Sequence, residues 1–106
     1  MKAVFKCPDG STVEVDEAEG TSLMQAAVFN GVQGIVGDCG GTASCATCHV
    51  VVDDAFMAAL PPMTPNEDQM LGCTAMERQP NSRLCCQLFL NPALDGIRVT
   101  VADPQL

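Results

Sequence analysis

Three cysteines fall within ten residues of one another, as Cys39-x5-Cys45-x2-Cys48. No other feature of the chain limits its fold as strongly. Thiols grouped in this way point to a shared metal or to redox chemistry. The residues between them are Gly40, Gly41, Thr42, Ala43, Ser44, Ala46 and Thr47, all small. A flexible Gly/Ser loop has a similar composition, but it has no use for three thiols. Thiolates suit iron and zinc sites. Zinc sites more often use cysteine pairs with spacers of about two to four residues. A longer gap leaves enough chain to wrap a two-iron core. Four thiolates, two per iron, hold a 2Fe-2S cluster. Small residues around it let backbone N–H groups reach its sulfurs, which is one lever on reduction potential.

The fourth ligand has to come from Cys7, Cys73, Cys85 or Cys86. The chain has seven cysteines, an odd number that disulfides in a monomer cannot use up. The start of the chain shows no apolar secretory segment, so reduced thiols and a cytoplasmic location, or the mature form of an imported protein, are expected. Residues 83–90 read as a strand, in which neighbouring side chains point to opposite faces. Only one of Cys85 and Cys86 is then expected to reach the cluster. Periodicity leaves the choice open, because Leu84, Cys86, Leu88 and Leu90 share one face and Cys85, Gln87 and Phe89 the other. His49 is the single histidine, which rules out a Rieske centre with its two histidine ligands. It reads as a structural hydrogen-bonding group. A Cys/His catalytic pair would not explain three grouped thiols, so the chain is expected to be a carrier and not an enzyme.

The rest of the sequence reads as one mixed α+β domain over residues 1–106. Two β-prone runs, 2–6 and 12–15, flank a Pro8-Asp9-Gly10 turn signal. Ser22 and Gln25 make a capping box for a helix whose Leu23, Ala26, Ala27 and Asn30 share one face, with Gly31 as its stop. Residues 50–52 are a buried strand candidate. Residues 54–60 read as a short helix closed by Pro61-Pro62. A second capping box, Thr64 with Glu67, precedes another short helix running to about Gly72. Residues 91–96 read as a turn and 97–101 as the last strand.

No apolar run approaches the roughly 18 residues of a membrane span. The formal net charge of -8 argues against nucleic acid, whose phosphates need cations to neutralise them. It suits a partner with a basic patch.

The run from Gly37-Asp38-Cys39 to Cys48-His49-Val50, with Ser82-Arg83-Leu84-Cys85-Cys86-Gln87 later, resembles the adrenodoxin-type 2Fe-2S ferredoxins. The likeness extends to Ser22-Leu23-Met24-Gln25-Ala26-Ala27 and Leu94-Asp95-Gly96. It implies a β-grasp fold. The family pattern Arg-Leu-x-Cys-Gln implies Cys86 as the fourth ligand beside Cys39, Cys45 and Cys48, with Cys85 left over. It further implies a one-electron carrier that takes electrons from an NADH-dependent FAD ferredoxin reductase and gives them to a cytochrome P-450. Such a carrier would be a monomer forming transient complexes. In similar proteins Asp38 belongs to the docking surface, and the helix bearing Glu67 and Asp68 resembles an acidic interaction helix. Three other readings share part of this evidence: a ferredoxin for iron–sulfur cluster assembly, a structural zinc module, and a thiol redox sensor using Cys73 or Cys85.

Overall fold

The computed structural model describes residues 1–32, 35, 48–72, 74 and 77–102. The chain opens as the expected hairpin. Strands β1 (Lys2–Lys6) and β2 (Thr12–Asp16) pair antiparallel, with Lys2 opposite Asp16 and Lys6 opposite Thr12. The turn between them is held by its own side chains. Asp9 accepts from the Ser11 amide at 2.9 Å and from the Ser11 hydroxyl at 2.6 Å. Gly10 takes φ +89°, a value that costs little only without a Cβ.

The capping box at Ser22 forms in both directions. Ser22 Oγ accepts from the Gln25 amide at 3.1 Å, and Gln25 Oε1 accepts from the Ser22 amide at 3.2 Å. Helix α1 (Leu23–Phe29) follows and buries Leu23, Met24, Ala26 and Ala27. It stops at Asn30, and Gly31 adopts φ +67°.

Three more strands complete one five-stranded sheet. They are β3 (His49–Val52), β4 (Ser82–Leu84) and β5 (Ile97–Val101), and the order across the sheet is β2-β1-β5-β3-β4. β5 runs parallel to β1, and the other pairs are antiparallel. A mixed sheet with helices between its two hairpin-like halves is the α+β, β-grasp arrangement expected from the sequence. β5 alternates as a half-buried strand should. Ile97, Val99 and Val101 are buried, whereas Arg98 and Thr100 face out. The buried set joins Ala3 and Phe5 of β1, Val50 and Val52 of β3, and the α1 residues in one core.

The short helix expected over 54–60 forms as a 3-10 helix over residues 54–59, and Leu60 is already extended, as a residue before proline should be. Two other readings of the sequence change. The second capping box is only half made. Thr64 Oγ1 caps the Glu67 amide at 3.2 Å at the start of α2 (Pro65–Leu71), but the Glu67 carboxylate turns away to Arg83. The strand expected over 83–90 ends at Leu84. A 3-10 turn, Cys85–Gln87, is closed by a 3.2 Å bond from the Leu88 amide to the Cys85 carbonyl. Beyond it, Leu88 and Leu90 bond to the backbone beside Ser22, at Leu23 and Thr21, so the chain has crossed from the sheet to the start of α1. Among the described residues no helix is long and apolar enough to cross a membrane.

Candidate metal centre

Cys48 stands immediately before β3, and Cys85 immediately after β4. These strands pair with His49 opposite Leu84 and Val50 opposite Arg83. Cys48 and Cys85 are therefore the next pair along the same ladder. The Cys85 amide donates to the Cys48 carbonyl at 2.9 Å, which closes that pair. The 3-10 turn then bends the chain so that Cys86 also faces Cys48. Cys48, Cys85 and Cys86 are 1%, 0% and 2% exposed.

The Cys48 thiol donates toward Cys85 and accepts from the Cys86 thiol, and the Cys86 backbone N–H also faces its sulfur. Cys85 chiefly, and then burial, push the Cys48 thiol well above the usual thiol range, while the Cys86 thiol and backbone pull it down. The sequence reading placed Cys85 and Cys86 on opposite faces of a strand. The turn removes that alternation, and both side chains lie on the Cys48 side. Among the described residues no three His, Cys, Asp or Glu side chains make a complete site for a metal ion.

The donors around the sulfurs suit an iron–sulfur group. Thiolates bound to iron carry negative charge and accept hydrogen bonds. Here the Cys86 amide faces the Cys48 sulfur, and Gln87 Nε2 donates to the Cys86 sulfur at 3.4 Å. The expected ligands Cys39 and Cys45, the small residues 40–47 whose amides were expected to face the sulfurs, Asp38 and Cys73 lie outside the described residues.

His49 has the structural role expected of it. Its ring is fully buried, and Nε2 lies 2.6 Å from Ser82 Oγ across the β3–β4 pair. Burial, and then the Arg78 charge, push its pKa down, so it is neutral at pH 7.

Glu67 does not take the docking role expected for it. It is 1% exposed, and its carboxylate is bound by Arg83 and by the Leu84 amide. A side chain so enclosed offers no charge to a partner. Asp68, one residue on, is exposed and pairs with Arg78 at 2.7 Å. Sequence reasoning gave Arg83 and Gln87 no task. Their signal was a cation and an amide within a few residues of an expected ligand, in a stretch otherwise apolar.

A family model for the 2Fe-2S iron–sulfur cluster binding domain matches residues 7–91. Putidaredoxin from Pseudomonas putida is 56% identical over 104 residues, covering 98% of this chain and 97% of that protein. The crystal structure of a reduced Cys-to-Ser variant of putidaredoxin from Pseudomonas putida superposes with a TM-score of 0.97 at 54% identity, over the full length of both chains. The chain is similar also to putidaredoxin in its covalent complex with putidaredoxin reductase. That match has a TM-score of 0.92 at 53% identity, covering 95% of this chain and 97% of that one.

Proposed function

The chain belongs to the 2Fe-2S iron–sulfur cluster binding family, and we propose that Cys39, Cys45, Cys48 and Cys86 are the ligands with which it works as a ferredoxin. It is an electron carrier and not an enzyme. The observation that carries the ligand reading is the pair Cys48 and Cys86, buried side by side with N–H donors directed at their sulfurs. Residues 1–106 act as one ferredoxin domain.

Bound there, the cluster supplies one-electron chemistry within a single site. The residues of the chain do the rest. The β3–β4 ladder holds Cys48, and the turn after β4 holds Cys86, so two ligands are fixed by one pair of strands. Burial excludes water from both sulfurs. N–H donors from Cys86 and Gln87 offset the negative charge that collects on them.

The electron source is an NADH-dependent FAD ferredoxin reductase, and the acceptor is a cytochrome P-450. The reductase half is supported by the likeness to putidaredoxin as it stands in complex with its reductase. The P-450 half rests on the resemblance of the Gly37–Val50 and Ser82–Gln87 runs. The acidic surface suits brief encounters between a monomer and basic partners over small interfaces. The cytoplasm suits a chain with no disulfide among its described cysteines.

Reconstitution tests this reading. NADH, an FAD-dependent ferredoxin reductase, the red-brown holoprotein and a cytochrome P-450 should together oxidise substrate, and omission of any one should stop turnover. Reduction of the ferredoxin without onward reduction of the P-450 would remove the oxygenase from the scheme. Failure of the reductase to bleach the ferredoxin would remove the reductase.

A further inference from the structure

The centre brings a fifth thiol against the ligands. Cys85 is 0% exposed, and it follows Leu84 as Cys48 precedes His49, one step beyond the last pair of the β3–β4 ladder. The 2.9 Å bond from its amide to the Cys48 carbonyl locks the two residues in register. Directly opposed residues in an antiparallel pair send their side chains to the same face of the sheet. The two side chains accordingly share a hydrogen bond, in which the protonated Cys48 thiol is the donor.

A ligand thiol releases its proton to solvent when it binds iron, because the thiolate is the metal ligand. With Cys48 as a ligand, its sulfur becomes an acceptor, and Cys85 keeps its S–H. A thiol is a weak donor to neutral groups, but a hydrogen bond to an anionic acceptor is stronger. Here no water competes for either partner, since both are buried. Among the described residues Gln87 and the Cys86 amide also donate onto these sulfurs, and neither substitutes for a side chain across the ladder.

We propose that Cys85 is a potential-tuning residue of this centre: its thiol donates a hydrogen bond to the Cys48 sulfur and favours the reduced state. The inference rests on the reading of Cys48 as a ligand. A donor at a ligand sulfur stabilises the negative charge added on reduction, so it raises the reduction potential.

The experiment uses the full-length holoprotein. Spectroelectrochemical titration of Cys85→Ala, with iron content and visible spectrum equal to wild type, should give a more negative potential. Cys85→Ser, which keeps a hydroxyl donor, should return part of the shift. A fully loaded Cys85→Ala with the wild-type potential would overturn the proposal.

Infrared spectroscopy decides the case if the alanine variant fails to load. In a Cys7→Ala, Cys73→Ala background, Cys85 carries the one thiol left after four ligands are taken from the seven cysteines. Its S–H band should move to lower wavenumber when the protein is reduced, as the acceptor sulfur gains charge. A band that stays still on reduction would overturn the proposal. The ligand reading is tested separately by Cys48→Ser. An unaltered visible spectrum in that variant sinks the ligand reading, whatever Cys85 does.

Discussion

Arg83 and Glu67 meet inside the protein as a two-point ion pair, with Arg83 Nε on Glu67 Oε2 at 2.6 Å and Nη2 on Oε1 at 3.0 Å. The same carboxylate accepts the Leu84 amide at 3.0 Å, and Arg83 Nη1 donates to the Pro61 carbonyl at 3.0 Å. One buried pair therefore ties α2 and the segment before it to β4. Leu84 lies two residues before Cys86, so the clamp ends where the turn bearing the proposed ligand begins.

Breaking that pair on one side should be expensive. Glu67→Ala leaves a buried guanidinium without its counter-charge, and a loss of about 3–5 kcal/mol is expected. Replacing both residues with apolar ones of similar size should restore much of that loss, since two desolvated charges then disappear together. Urea unfolding of the holoproteins, followed by far-UV circular dichroism and by loss of visible absorption, measures both. A single variant as stable as wild type would mean that the clamp contributes nothing.

The ligand set makes a sharper prediction. Cys48→Ser and Cys86→Ser should each alter or abolish the visible absorption of the holoprotein, because a hydroxyl is a poor replacement for a thiolate on iron. Cys39→Ser and Cys45→Ser should do the same. Cys7→Ser should leave it unchanged. Iron per chain after anaerobic purification gives a second readout. A Cys86→Ser protein with a wild-type spectrum would move the fourth ligand elsewhere, with Cys85 next in line by position.

Charge steering is testable at Asp38 and Asp68. Asp38→Asn should slow electron delivery and flatten its dependence on salt, because it removes one charge from the encounter. Asp68 is exposed but already paired with Arg78, so Asp68→Asn should change the rate less. Stopped-flow reduction across a salt series compares them. Kinetics of Asp38→Asn identical to wild type at every ionic strength would end its docking role.

The β1–β2 turn should respond to acid. The Ser11 hydroxyl, and then the Ser11 amide, hold the Asp9 carboxyl below its usual 3.8. A lowered value in the folded state means that the contribution is present above 3.8 and is lost as pH falls through the folded value. Asp9→Ala should therefore lower the melting temperature near neutral pH, and the difference from wild type should close in strong acid. The Ser11 amide chemical shift should titrate with a midpoint below 3.8. A midpoint above that would contradict the turn as described.

Much of this architecture is legible in local sequence. Pro8-Asp9-Gly10, Ser22 with Gln25, and Gly31 mark a turn, a helix start and a helix stop through bonds that span at most a few residues. Alternation in Ile97–Val101 tells which side of that strand is buried. The grouping of Cys39, Cys45 and Cys48 declares metal chemistry because no fold needs three adjacent thiols for packing.

Tertiary structure decided the rest. Glu67 reads as a helix cap and an acidic surface residue, since nothing nearby in sequence shows that Arg83, sixteen residues away, will reach it. Cys85 and Cys86 read as strand residues facing apart, since their stretch is as apolar as any strand. The turn that brings both onto Cys48 forms where the chain leaves β4 to pair beside Ser22. Local pattern reports which residues prefer burial. Only the assembled sheet determines which buried groups meet.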